Sequence, residues 1–135
     1  MIEAKENFNN TWPFNPNFFS GNGFKQHYVD EGKENNKIIL CLHGEPTWGY
    51  IYRHFIKELS KNFRVVVPDL MGFGKSETPK NKEYSLKTHV ENLENLVNYL
   101  ELKNIYFVGQ DWGGPILGAY TCLLYTSDAA DDTSG

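Results

Sequence analysis

Apolar residues fall along this chain in two alternating rhythms. Ile38 to Leu42 (IILCL) is an unbroken apolar run between polar turns, the pattern of a strand buried on both faces. Beyond it, Trp48, Ile51, Tyr52, Phe55 and Leu59 recur at three- and four-residue steps and predict a helix. Phe63 to Val67 reads as a second buried strand, closed by Pro68. The clearest helix is SLKTHVENLENLVNYL. There Leu86, Val90, Leu93, Val97 and Leu100 form one stripe, Lys, Glu and Asn take the other face, and Ser85 stands at the N-cap. Ile105 to Gly109 (IYFVG) predicts a third buried strand, with glycines opening a further helix. Upstream, Phe24 to Gly32 suits a short edge strand. Residues 1–23, rich in Asn, Pro, Phe and Gly, read as irregular, with Trp12 and Phe18–Phe19 expected to cover the sheet edge.

Strands alternating with helices over short connections predict an α/β fold: a mostly parallel sheet with helices on both faces. Such sheets place ligands at the carboxyl ends of their strands. Three motifs fall at those ends: HGEP (43–46), DLMGFGKS (69–76) and GQDWGG (109–114). Gly72 to Ser76 resembles a phosphate loop only superficially, because the G-x-x-x-x-G-K-[ST] spacing is absent.

Composition narrows the function classes. The 135 residues are 40% hydrophobic and 22% charged, which suits one soluble globular domain. A net charge of −4 offers no electrostatic basis for binding nucleic acid or an anionic membrane. No apolar run approaches the ~20 residues of a membrane helix, and the first residues lack a signal-peptide layout. A cytoplasmic location is expected. Cys41 and Cys122 form neither a disulfide framework nor a metal spacing, and Cys41 is expected to be a small buried hydrophobe.

The chemistry concentrates in Gly109-Gln110-Asp111-Trp112-Gly113. A strand-to-helix turn of the form small-x-nucleophile-x-small holds its central residue in a strained conformation, and small neighbours let the backbone fold back. Here the centre is aspartate, and no G-x-S-x-G occurs in the chain. An aspartate of ordinary pKa, ~3.9, is ionised at pH 7 and needs no base to attack. It can displace a leaving group from carbon and form an alkyl ester. Turnover then needs water at the ester carbonyl, normally with a histidine as base. The plainer reading of Asp111 is a helix N-cap. Trp112 is either core or a site residue whose indole N–H holds a departing halide.

His43-Gly44-Glu45-Pro46 follows the first buried strand. Loops here supply one oxyanion donor, and the residue after the nucleophile supplies another; that assigns the backbone N–H groups of Glu45 and Trp112. Pro46 stands in the kind of tight turn where cis prolines occur. His43 is expected to support the loop rather than act as a base. The Glu45 carboxylate either lines the pocket or bonds neighbouring backbone.

Together HGEPTWGYIYRHFI, PDLMGFGKSETP and VGQDWGGPI resemble the haloalkane dehalogenases of the α/β-hydrolase superfamily, in the subgroup with glutamate in the HGxP loop, from about Phe24 to Tyr120. The resemblance implies an α/β-hydrolase fold and catalytic roles for Asp111, Trp112 and Glu45. It further implies a halogenated small-molecule substrate with water, and neither cofactor nor metal. Asp111 would attack the halogen-bearing carbon while Trp112 and a second tryptophan from a helical cap hold the halide. Epoxide hydrolases share HGxP and an aspartate turn, often with histidine where Gln110 stands, and remain an alternative, as does a non-catalytic protein of the same fold. Haloacetate dehalogenases typically carry arginine where Trp112 stands.

The resemblance also implies about twice this length, with a cap, an acid and a histidine after the nucleophile. All four histidines (His27, His43, His54, His89) precede Asp111. The expected organisation is 1–121 as the N-terminal part of a hydrolase core. Residues 122–135, beginning CLLYTSDAADD, would be a non-native tail resembling translated sequencing adapter. Such a fragment is expected to expose the third strand as a bare apolar edge, to be poorly soluble, and not to turn over.

Overall fold

The computed structural model describes residues 1–134, with side chains described for residues 1–124. The stretch read as foreign therefore lies, beyond Leu124, outside the described side chains.

Five strands form one sheet in the order β1-β2-β4-β3-β5: β1 Asn17–Phe19, β2 Gln26–Glu31, β3 Ile38–Leu42, β4 Arg64–Pro68 and β5 Ile105–Gly109. β3 pairs in parallel with both β4 and β5, while β1–β2 and β2–β4 are antiparallel. A 3-10 turn over Gly49–Tyr52 leads into α1 (Arg53–Leu59); α2 spans Leu86–Tyr99 and α3 spans Gly113–Ser134.

Side chains of a strand point alternately to its two faces, so the two apolar runs supply two cores. Leu40, Leu42 and Val66 face α2 and α3, packing with Leu93, Leu96, Val97, Ile116, Leu117 and Tyr120. Ile39, Cys41, Val65 and Val67 face the other way, against Tyr52, Ile56 and Trp12. Trp12 thus covers a face of the sheet, not its edge, and it is Phe18 and Phe19 that build the edge, as part of β1.

Two strand expectations need correction. β2 is not an edge strand, because β1, within the segment read as irregular, pairs with it through Phe18↔His27 and its neighbours. β5 is not buried on both faces, since Tyr106 is 60% exposed; among the described residues β3 is its one strand partner, which puts it at the sheet edge expected of the fragment. Ile105 and Phe107 pack on the α2/α3 core and Val108 packs on the opposite one, so Tyr106 is the position left uncovered. Within β2, Asp30 is tolerated because the Arg64 guanidinium meets it bidentately across the β2–β4 pair, at 2.9 and 2.7 Å.

Ser85 caps α2 as expected, its hydroxyl accepting from the Thr88 N–H at 3.2 Å. Ser85→Ala should lower unfolding free energy by about 1 kcal/mol, read as a shifted urea midpoint with unchanged slope.

Candidate active site

The route of the chain creates a crevice. From β3 it crosses through α1, on one face, to β4. From β4 it returns through α2, on the other face, to β5, beyond β3. β3 and β5 are therefore neighbours whose following helices, α1 and α3, leave on opposite faces. Ligands bind at the carboxyl ends of strands meeting at such a switch point. HGEP leaves β3 there and GQDWGG leaves β5.

The second of these is a sharp corner. Asp111 adopts φ +54°, the left-handed region that costs a non-glycine residue energy. Gln110 extends the ladder, its N–H donating to the Leu42 carbonyl at 3.1 Å, and the Gly114 N–H then donates to the Asp111 carbonyl at 3.0 Å as α3 begins. The flanking glycines have a steric cause. A Cβ on Gly113 would lie 2.3 Å from the Leu42 carbonyl oxygen, and one on Gly109 would lie 3.1 Å from the Gly114 backbone and 2.9 Å from Leu117 Cδ1.

The HGEP loop closes over this corner. A Cβ on Gly44 would lie 2.6 Å from Asp111 Cβ, from Asp111 Oδ2 and from the Trp112 amide nitrogen. Only glycine lets the two turns meet. The Glu45–Pro46 peptide is cis. The Glu45 N–H donates to Asp111 Oδ2 at 3.2 Å. Among the described residues, the Asp111 carboxylate thus bonds across the site to the other loop rather than to the first-turn amides of α3, which is not how an N-cap behaves. The three predicted site residues are together: Asp111 exposed, Glu45 exposed on the facing loop, and Trp112 half-buried against the α2/α3 core with its amide beside Gly44.

His43 is fully buried, and both ring nitrogens are engaged. Nε2 accepts from the Leu70 N–H at 2.8 Å, and Nδ1 lies 2.8 Å from the Gly44 carbonyl. It supports the loop and has no nitrogen left for a water. Burial holds its pKa below the ordinary value, opposed by the Gly44 carbonyl and the Asp69 charge. His89, buried on α2, is also lowered by burial; the Glu45 carboxylate opposes this and His43 adds to it. Both imidazoles are easier to protonate in the unfolded chain, near pH 6.5. Their contribution is therefore fully present above that pH and lost as pH falls through the folded values. The urea midpoint should drop on going from pH 7 to pH 5, and a flat profile across that range would contradict the burial of these rings.

DLMGFGKS, the loop after β4, turns its polar groups inward. Asp69, fully buried, accepts from the Gly49 N–H at 2.8 Å, the Lys75 N–H at 2.9 Å and His27 Nδ1 at 2.9 Å. Lys75 is buried too, and its ammonium donates to the Ala4 and Glu6 carbonyls at 2.7 and 2.8 Å, pinning the N-terminal segment. The His27–Asp69 pair spans 42 residues of chain, and no local spacing announces it.

A family model described as the alpha/beta hydrolase fold matches residues 37–128. Haloalkane dehalogenase 2 of Mycobacterium tuberculosis is 43% identical over 105 residues, covering 78% of this chain and 36% of that protein. The structure of the haloalkane dehalogenase DpaA from Paraglaciecola agarilytica NO2 superposes with a TM-score of 0.73 at 43% identity, covering 77% of this chain and 37% of that one. Epoxide hydrolase VrEH1 from Vigna radiata superposes with a TM-score of 0.73 at 30% identity, covering 79% of this chain and 33% of that one. The chain thus spans about a third of the length of these relatives. No described helix is long and apolar enough to cross a membrane. With the parallel β3–β5 core, the aspartate corner at its switch point and the family model over most of the chain, the chain belongs to the α/β-hydrolase fold family.

Proposed function

We propose that this chain carries the nucleophilic part of a hydrolase that removes halide from haloalkanes through an ester on Asp111. A carboxylate oxygen of Asp111 forms a bond to the halogen-bearing carbon as the carbon–halogen bond breaks. Halide leaves with the bonding pair, beside the Trp112 indole. The observation that carries this reading is the left-handed Asp111 corner with its carboxylate held by the Glu45 N–H. That donor and the Trp112 amide would stabilise the oxyanion when water attacks the ester, and one such donor is worth about 10²–10³ in rate. The hydrolytic step also needs a base, which the resemblance assigns to a histidine after the nucleophile. His43, with both nitrogens occupied, does not fill that role. Water and a halogenated small molecule are the partners of the site, in a parent protein placed in the cytoplasm.

Epoxide opening by the same carboxylate is the second reading, favoured by the likeness to the Vigna radiata enzyme. Exposing the chain to a primary bromoalkane or, separately, to a terminal epoxide distinguishes them by intact mass. The dehalogenase reading expects one alkyl group added per chain, with one bromide released for each. A hydroxyalkyl adduct from the epoxide alone would favour the second reading, and no adduct from either would remove both.

A further inference from the structure

The hydrogen bonds at His43 determine where its proton sits. The Leu70 main-chain N–H can only donate, so Nε2, 2.8 Å away, must present its lone pair. A neutral imidazole then carries its proton on Nδ1, which donates to the Gly44 carbonyl at 2.8 Å. The Phe73 ring lies edge-on at 5.8 Å between centroids and confines the imidazole. One ring therefore ties the loop after β4, through Leu70, to the residue whose missing Cβ lets Asp111 approach and whose neighbour donates to the Asp111 carboxylate.

We propose that His43 is a positioning residue that latches the Glu45 N–H onto Asp111, and that protonating its ring opens the latch. Protonation places a hydrogen on Nε2 facing the Leu70 N–H, so two donors oppose each other in a buried space. The contact can relieve itself by moving the HGEP loop away from the β4 loop. The titratable groups nearest the ring are Asp69 after β4 and His89 on α2; Glu45 on the same loop acts on His89, and Asp111 lies across Gly44. Burial disfavours the charged ring, and the Gly44 carbonyl and the Asp69 charge favour it. The part of this proposal that concerns alkylation rests on Asp111 being the nucleophile; the latch itself does not.

The test is a pH titration of the 135-residue chain, ¹⁵N-labelled, followed at the His43 ring and at the Leu70 and Glu45 amides. The same samples are assayed for the rate at which a primary bromoalkane adds to the chain. The expected result is an Nδ1–H tautomer at pH 7, with both amide resonances moving at the ring's own midpoint. The alkylation rate should fall at that midpoint, separately from the ¹³C titration of the Asp111 carboxylate. His43→Leu should slow alkylation about tenfold, since small misplacements of a reacting group are costly, and abolish the limb assigned to the ring. An Nε2–H tautomer, or a Glu45 amide that ignores the ring's titration, overturns the proposal. Should His43→Leu fail to fold, the wild-type titration alone decides. Amides that move with the ring while no bromoalkane ever adds would preserve the latch and sink the nucleophile.

Discussion

Replacing Asp111 by asparagine should leave the corner standing and remove the chemistry. Asparagine is among the few residues that occupy the left-handed region at low cost, so the φ of +54° is retained. Its amide oxygen can still accept from the Glu45 N–H that Asp111 Oδ2 now meets at 3.2 Å. What is lost is the anionic oxygen that bonds to carbon. Alkylation should fall by a factor on the order of 10⁴ or more, the scale seen when a nucleophile is removed outright, while the urea midpoint stays close to that of the parent. Residual alkylation at the parent rate would mean that another group takes the alkyl chain. A collapse in stability would mean that the carboxylate serves the fold rather than a reaction.

The second large effect concerns a residue with no functional group. Gly113→Ala would set a methyl 2.3 Å from the Leu42 carbonyl oxygen and 2.7 Å from that of His43. Both obstacles are backbone at the end of β3, so no side-chain rotation relieves the clash. The corner must lift away from β3, breaking the Gln110 N–H bond to Leu42 and withdrawing Asp111 from Glu45. Overpacking of this kind costs about 3 kcal/mol. The variant should therefore both unfold earlier in urea and alkylate more slowly. Gly114→Ala is the control: nothing lies within 4 Å of a Cβ there, and α3 is already helical at that position, so it should be neutral or slightly stabilising. If the two alanines behave alike, the close approach of the two turns is not what the corner depends on.

Much of the architecture was legible because the runs of apolar residues have one physical cause. IILCL and the Val65–Val67 run of β4 are apolar at every position because both their faces are covered, and the α2 stripe is apolar on one side because one side is. The α2 boundary was legible as well, since a serine hydroxyl satisfies an otherwise unpaired amide. The corner could be read because its geometry leaves a chemical trace: glycines wherever a Cβ would strike backbone.

The misreadings also have causes. β1 is three residues long, with half-buried side chains, and gains its strand character from pairing with β2 rather than from any rhythm of its own. β5 carries the same apolar letters as β3, yet Tyr106 stays exposed on the face opposite α2 and α3, because what covers a strand is set by elements its own sequence does not contain. DLMGFGKS resembles the site motifs because it too follows a strand. Its polar groups prove to be turned inward, Asp69 toward His27 and Gly49 and Lys75 toward the N-terminal segment, and both partners are distant in sequence. Catalytic and structural polar residues at strand ends look alike until their partners are known.

The central claim is that the Asp111 carboxylate forms a covalent bond to carbon, and the most direct measurement is the site of the adduct. The chain treated with a primary bromoalkane is digested, and the modified peptide is sequenced by mass spectrometry. Of the two thiols, burial pushes Cys41 up to about 12, whereas Cys122 is exposed. The account predicts the alkyl group on Asp111, as an ester, in the parent and in Cys122→Ser alike. An adduct on Cys122 that vanishes in Cys122→Ser, or one scattered over surface carboxylates with Asp111 unmodified, would contradict it.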